Sequence, residues 1–159
     1  MDLLDRLLEH DRWATGQLLE VCRGLSDAQL DQQFDIRHRT SRETFAHFID
    51  NVPFWTALMA GRPPDDPPGD RSLPALIERQ RLAYDAFAAF ARRARDEGRL
   101  DDTFIDHYDA RKSLGGTILQ VVLHDEEHRT EASHILARIG VPEVPEVDLG
   151  LWDYEMHNG

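Results

Sequence analysis

The sequence contains a single cysteine, Cys22, and no long hydrophobic run. One cysteine cannot form a disulfide within the chain, which is typical of proteins from a reducing compartment. No apolar stretch approaches the ~20 residues that a membrane-spanning helix needs. The acidic start, Met1-Asp2-Leu3, lacks the basic region of a signal peptide. The sequence therefore predicts a soluble cytoplasmic protein.

Basic residues are also scarce, with 18 Lys and Arg against 30 Asp and Glu and a formal net charge of −12. Such a charge repels nucleic-acid phosphates and anionic lipid headgroups. The densest basic stretch, Arg92-Arg93-Ala94-Arg95, is followed at once by Asp96 and Glu97, which indicates a solvated helix face. We therefore expect no nucleic-acid partner and no membrane partner.

The most prominent feature of the sequence is the helical periodicity of its apolar residues. The chain of 159 residues, 41% of them hydrophobic, has the size and composition of one globular domain spanning 1–159. Apolar residues three and four apart predict four long helices, from Asp2 to Arg23, after Thr40 to Gly61, from Ser72 to Gly98, and from Leu114 to Arg138. Four such helices predict an all-α fold of the four-helix-bundle class.

Capping and turn signals refine these helices. Thr40 and Glu43 form a capping-box pattern at the start of the second helix, and Ser72 is the predicted N-cap of the third. Pro53 lies inside the second helix, where it removes one backbone hydrogen bond and predicts a kink.

Two stretches lie outside the four helices. Residues 100–113 include Thr103-Phe104-Ile105 and predict a short extended excursion, without a convincing pair of strands. The tail over 141–159 is too apolar for a free linker, since it carries Leu149, Leu151 and Trp152. We expect this tail to pack back onto the bundle.

Two of the eight histidines, His124 and His128, are four residues apart. On an α-helix this spacing places them about 40° apart and one turn above each other, where two imidazoles can chelate a first-row divalent ion. The same spacing also occurs in ordinary surface or capping histidines, and alone it favours that interpretation.

The other histidines carry weaker signals. His47 lies between Phe45 and Phe48, which by itself indicates a buried histidine hydrogen-bonded to a neighbour. His10 falls near the inward stripe of the first helix and is a candidate for a pocket. The remaining four lack a paired spacing and are predicted to be surface groups: His38, His107, His134 and His157. Cys22, in an apolar stripe, is predicted to be inert packing.

Three motifs together resemble the DinB/YfiT-like family. They are His10-Asp11-Arg12-Trp13-Ala14 in the first helix, Thr44-Phe45-Ala46-His47-Phe48-Ile49-Asp50-Asn51-Val52 in the second, and His124-Asp125-Glu126-Glu127-His128-Arg129 in the last. The resemblance covers nearly the whole chain. It implies a four-helix bundle with a long crossover connection between the second and third helices, and a homodimer.

The resemblance also implies a metal site. In that family, one histidine of the second helix and two of the last bind a divalent ion, and these positions fall on His47, His124 and His128. The metal is Zn, Ni, Mn or Fe, which three imidazoles do not distinguish. Three histidines leave a coordination position open, as in catalytic sites.

An ion held by neutral imidazoles favours a bound hydroxide or thiolate near neutral pH. Some relatives are transferases or isomerases that use a low-molecular-weight thiol. The resemblance therefore implies a metal-dependent enzyme, either a thiol-dependent S-transferase or a hydrolase, acting on a small-molecule substrate. The alternative is a non-catalytic, metal-binding stress-response protein whose ion braces the bundle.

Glu131, one turn after His128, is the best-placed candidate for a catalytic proton shuttle, and Glu127 is the second. Either carboxylate has an alternative role in orienting a ligand imidazole, or in simple solvation of an acidic chain. Trp13, Phe54 and Trp55 are candidates for lining the pocket, and residues 100–113 for a lid. A fourth protein ligand on the ion would favour the brace over the enzyme.

Overall fold

A computed structural model describes residues 1–159 and contains six helices and one short hairpin. The elements are α1 (Leu3–Cys22), α2 (Asp27–Leu30), α3 (Ser41–Met59), α4 (Leu73–Asp96), β1 (Thr103–Ile105), β2 (Arg111–Ser113), α5 (Leu114–Ile139) and α6 (Leu149–Asn158). The four predicted long helices are confirmed as α1, α3, α4 and α5, with ends within one or two residues of the predicted ones. No helix is both long and apolar enough to span a membrane.

The four long helices form a bundle in which α1 and α3 each pack against both α4 and α5. The all-α architecture is therefore confirmed. The connection over 60–72 joins α3 and α4, which lie side by side; its crossover geometry stays a prediction.

Two apolar clusters fill the bundle, one towards each end. The first is built around Val52, Phe87 and Val121, and the second around Leu18, Phe48 and Leu136. Along α1 and α5, the residues between these clusters are polar and equally buried: Asp11, Thr15, Asp125 and Arg129. We refer to these four, together with Tyr84 of α4, as the buried polar layer.

Ion pairing and hydrogen bonds satisfy most of the buried polar layer. The Arg129 guanidinium donates to the Asp11 carboxylate, and both side chains are 1% exposed. Tyr84 donates its hydroxyl proton to Asp125 at 2.5 Å. Burial raises the pKa of Asp11, and it raises that of Asp125 to about 7, because a low-dielectric interior disfavours the charged form of a carboxyl group.

Two predicted helix starts differ in detail from the structure. Thr40 caps α3 by accepting from the Glu43 backbone at 3.0 Å, but Glu43 does not complete a capping box, because its carboxylate binds Arg71. The Thr40 amide donates to the His38 carbonyl instead, at 2.8 Å. Ser72 stands at the N-cap of α4 without a side-chain capping hydrogen bond.

The segment over 100–113 pairs with itself. β1 and β2 form an antiparallel ladder in which Thr103 faces Ser113 and Ile105 faces Arg111. The sequence indicated an extended excursion but not this pairing, because strands of three residues are too short for a period of two to stand out.

The tail contacts α1. Trp152 of α6 is buried, and His10 bonds through Nε2 to the Val147 carbonyl at 2.7 Å. His10 therefore holds the tail and does not join the other histidines.

The basic stretch of α4 is less solvated than predicted, because α1 supplies carboxylates to it. Arg92 pairs with Asp5 and Glu9, and Arg95 pairs with Asp2 and Asp5. Carboxylates of α1 therefore pair with two of the three arginines of this stretch.

Gly140 ends α5 in the left-handed region, with φ 100° and ψ 24°. An L-residue with a Cβ is strained there, so we expect Gly140→Ala to lower the free energy of unfolding by about 1 kcal/mol. Gly16→Ala is the matched control, because Gly16 lies inside α1 with nothing within 4 Å of an added Cβ. That change is expected to stabilise by roughly 0.5–1 kcal/mol. Urea denaturation of both variants checks the opposite signs, and equal shifts would contradict the assignment.

Candidate metal centre

Packing of α3 against α5 brings the three predicted histidines together. The Nε2 atom of His124 lies 3.3 Å from Nε2 of His47 and 3.1 Å from Nε2 of His128. His47 is exposed, His124 is partly buried and His128 is fully buried. The cluster therefore sits at the surface of the groove between α3 and α5, with its base in the core.

These distances fit a shared divalent ion. Two Zn–N bonds of about 2.0–2.1 Å at a tetrahedral angle place their nitrogens about 3.3 Å apart. Imidazole is also a ligand that Zn, Fe and Ni accept. The donor set thus fits a metal of this kind.

The surroundings keep the imidazoles neutral, which is the form that binds metal. The pKa of His47 is lowered to about 4, chiefly by desolvation of the ring and also by the neighbouring histidines His38, His128 and His124. Burial is also the largest cause that lowers the pKa of His124 and of His128. At neutral pH each ring is therefore neutral and keeps one nitrogen lone pair for a metal ion.

Glu131 sets the orientation of one ring. Its carboxylate accepts from Nδ1 of His128 at 2.7 Å, so the proton of the neutral ring resides on Nδ1 and the Nε2 lone pair faces the cluster. A carboxylate behind a histidine in this way fixes the ring and raises its basicity as a ligand. The contact corresponds to the orienting role that the sequence left open for Glu131. Glu127, the second candidate, is exposed.

His124 is held by an amide. The Trp55 indole donates to Oδ1 of Asn51 at 3.1 Å, and since an indole N–H can only donate, this contact fixes the Asn51 amide. Asn51 then donates from Nδ2 to Nδ1 of His124 at 3.3 Å. If Nε2 of His124 binds an ion, the proton of the neutral ring lies on Nδ1, and that nitrogen donates rather than accepts. Asp125 offers an acceptor for this proton. Its Oδ1 is buried without a hydrogen-bond partner, 3.6 Å from that nitrogen.

The prediction that His38 is an isolated surface group is wrong. Its ring stacks on His47, with centroids 4.1 Å apart, and meets the edge of His128 at 5.1 Å. His38, His47 and His128 each offer a ring nitrogen within 4.8 Å of the others. No spacing in the sequence signals this, because His38 lies in the loop before α3 and only the fold brings it to the cluster.

Other sequence candidates lie elsewhere. His107 contacts Phe54 and Trp55 from the hairpin, with ring centroids 5.0 and 5.4 Å away, while His134 and His157 are exposed. Cys22 is buried, and burial raises the pKa of its thiol to about 12, so it holds its proton and is a poor nucleophile.

A cavity of about 590 Å³ adjoins the cluster between α3, α4 and the 62–71 loop. His47 and Asn51 line it on the side of the histidines, and Phe54 adds an aromatic ring. Trp13 and Trp55 do not line it. Asp50 and Arg79 provide its partly buried charges, with the Arg79 Nε atom 3.5 Å from the Asp50 carboxylate.

A four-helix bundle with clustered imidazoles between two of its helices belongs to a class of helical proteins that can hold a divalent metal. The model of the DinB superfamily matches residues 10–132, a range that contains His47, His124 and His128. The chain belongs to the DinB superfamily, which confirms the resemblance found in the sequence. No curated protein is significantly similar to it.

Proposed function

We propose that this protein is a metal-dependent enzyme in which His47, His124 and His128 hold one divalent ion, Zn, Ni, Mn or Fe. The reaction is a thiol-dependent S-transfer or a hydrolysis on a small molecule. The observation that carries the proposal is the continuity of the histidine cluster with the 590 Å³ cavity, because His47 belongs to both. A molecule bound in the cavity thus lies beside the imidazoles.

His47, His124 and His128 would hold the divalent ion, which when bound would lower the pKa of a water or thiol and so supply a nucleophile near neutral pH. The other residues of the site orient the histidine rings. Glu131 keeps the proton of His128 on Nδ1, and the Asp125 carboxylate faces Nδ1 of His124, where that ring carries its proton when Nε2 is a ligand. We assign both a positioning role. The apolar cavity wall of Phe54, Leu82 and Ala83 accepts the apolar part of a substrate.

A turnover assay on the metal-loaded protein tests this function. The panel contains electrophiles with a low-molecular-weight thiol as co-substrate, and small esters without it. Activity is expected with metal and absent after chelation.

A cavity variant localises the substrate. Ala86 lines the cavity and Ala89 does not, although both are exposed on α4. We expect Ala86→Trp to lower kcat/KM about tenfold, which corresponds to about 1.4 kcal/mol, and Ala89→Trp to leave it unchanged. Equal activity in both variants would place the substrate elsewhere.

The alternative is a metal site that only braces the bundle. The observation that favours it is the position of the cluster, which links α3 to α5 and adds a fourth histidine, His38, from a loop. A brace raises the melting temperature with metal by mass action and shows no turnover across the panel. A metal-dependent enzyme shows both the higher melting temperature with metal and turnover on the panel.

A further inference from the structure

We propose that His38 is a further ligand of the same ion, a fourth imidazole that the loop before α3 supplies. The inference rests on the proposed metal site at His47, His124 and His128. It adds a residue outside the two helices, and it defines what occupies the side of the ion that a three-histidine site leaves open.

Contacts place His38 in the cluster. Its ring stacks on His47 with an interplanar angle of 24°, and it meets His128 edge-on. A ring nitrogen of each of these three residues lies within 4.8 Å of the others. His47 and His128 also contact the ring of His124. These two residues therefore touch both of the other histidines of the cluster, His38 and His124.

A buried, unpaired nitrogen gives the second observation. Nε2 of His38 is excluded from water and has no hydrogen-bond partner. A buried polar atom without a partner is costly, and native proteins rarely keep one without a reason. A metal ion bound by the neighbouring histidines would provide a partner for its lone pair. Ligation requires the His38 ring to turn out of its stack on His47, because an ion lies in the plane of each imidazole that binds it, and to bring nitrogens that lie within 4.8 Å to the about 3.3 Å edge of a tetrahedral site.

The loop backbone holds His38 where it is. The Thr40 amide donates to the His38 carbonyl at 2.8 Å, and the residue between them, Arg39, has φ 66°. This is a γ-turn, and a left-handed conformation at arginine is strained. Two further backbone bonds close the loop, from Arg39 to Ile36 and from Phe34 to Arg39. Strained residues of this kind persist where the surroundings fix them, often at ligand sites.

The consequence concerns access to the ion. His47, His124 and His128 come from two rigid helices, whereas His38 comes from a loop of ten residues, 31–40. His38 would fill the fourth position in the resting protein and would have to leave it before a water, a thiol or a substrate could bind the ion. It is also the ligand that can leave without disturbing the bundle.

Competition of the protein with a chromophoric chelator for Zn²⁺ tests the inference, together with the visible spectrum of the Co²⁺-loaded protein. We expect His38→Ala to bind one ion with an affinity weakened at least by the roughly 10- to 100-fold that loss of an outer partner causes. We also expect its Co²⁺ spectrum to change. His38→Gln, which keeps a polar side chain of similar size but lacks the imidazole, is expected to behave like His38→Ala.

The matched control is His134→Ala, on the exposed face of α5, which is expected to match the wild type in both measurements. Wild-type affinity and an unchanged spectrum in both His38 variants would overturn the inference while leaving the proposed metal site intact. A wild-type protein that binds no ion, or one whose binding survives His47→Ala and His128→Ala, would overturn both. Circular dichroism confirms that each variant is folded.

Discussion

Replacement of Arg129 by methionine is expected to lower the free energy of unfolding by about 3–5 kcal/mol. Arg129 and Asp11 are both 1% exposed and pair directly, and Arg129 also donates to Thr15 at 3.2 Å and to Glu126 at 2.7 Å. Methionine fills most of the volume but leaves the Asp11 carboxyl group buried without its cation. The cost arises from this unpaired group rather than from a lost attraction.

Urea denaturation at several pH values measures the effect and its origin. Without Arg129, Asp11 can avoid the penalty by taking up a proton, so the loss is expected to be smaller at pH 5 than at pH 7. Arg129→Met combined with Asp11→Asn is expected to recover part of the stability. The control is Arg81→Met, since the Arg81 pair with Glu78 is about half exposed and solvent screens it, so a much smaller loss is expected there. Equal losses at Arg129 and Arg81 would contradict a buried ion pair.

Replacement of His47 or His128 by alanine is expected to reduce bound metal from near one ion per chain to near zero. These two residues contact each other as well as His38 and His124, so either change removes a central ligand. Structural metal affinity depends steeply on the number of ligands. Elemental analysis of protein purified without an affinity tag measures the effect.

Two comparisons make this result specific. His134→Ala removes a histidine from the same helix but outside the cluster, and it is expected to retain the full metal content. The triple variant at His47, His124 and His128 is expected to retain none. Near-stoichiometric metal in that triple variant would contradict the assignment.

The sequence predicted the helical parts of the site because helical spacing is local. His124 and His128 share a face four residues apart, and Glu131 follows His128 by three, so their mutual contacts need only the geometry of one helix. His47 was not recognisable this way, since its partners lie on another helix. It was joined to them only by resemblance to the family.

His38 and the buried polar layer were missed for different physical reasons. The position of His38 depends on a turn with φ 66° at Arg39, and no local pattern predicts such a turn for an arginine. Asp11 and Arg129 were passed over because charged residues are rarely buried unless paired. A signal did exist: Leu8, Asp11, Thr15 and Leu18 repeat at helical spacing along the buried stripe of α1.

The central claim is that imidazoles of α3 and α5 hold one divalent ion. An anomalous difference map from a crystal of the Zn-loaded protein, recorded at the zinc absorption edge, tests it most directly. We expect one peak in the groove between the two helices, about 2.0–2.1 Å from ring nitrogens of His47, His124 and His128. A fully loaded crystal with no peak there, or with its peak on other residues, would contradict the claim.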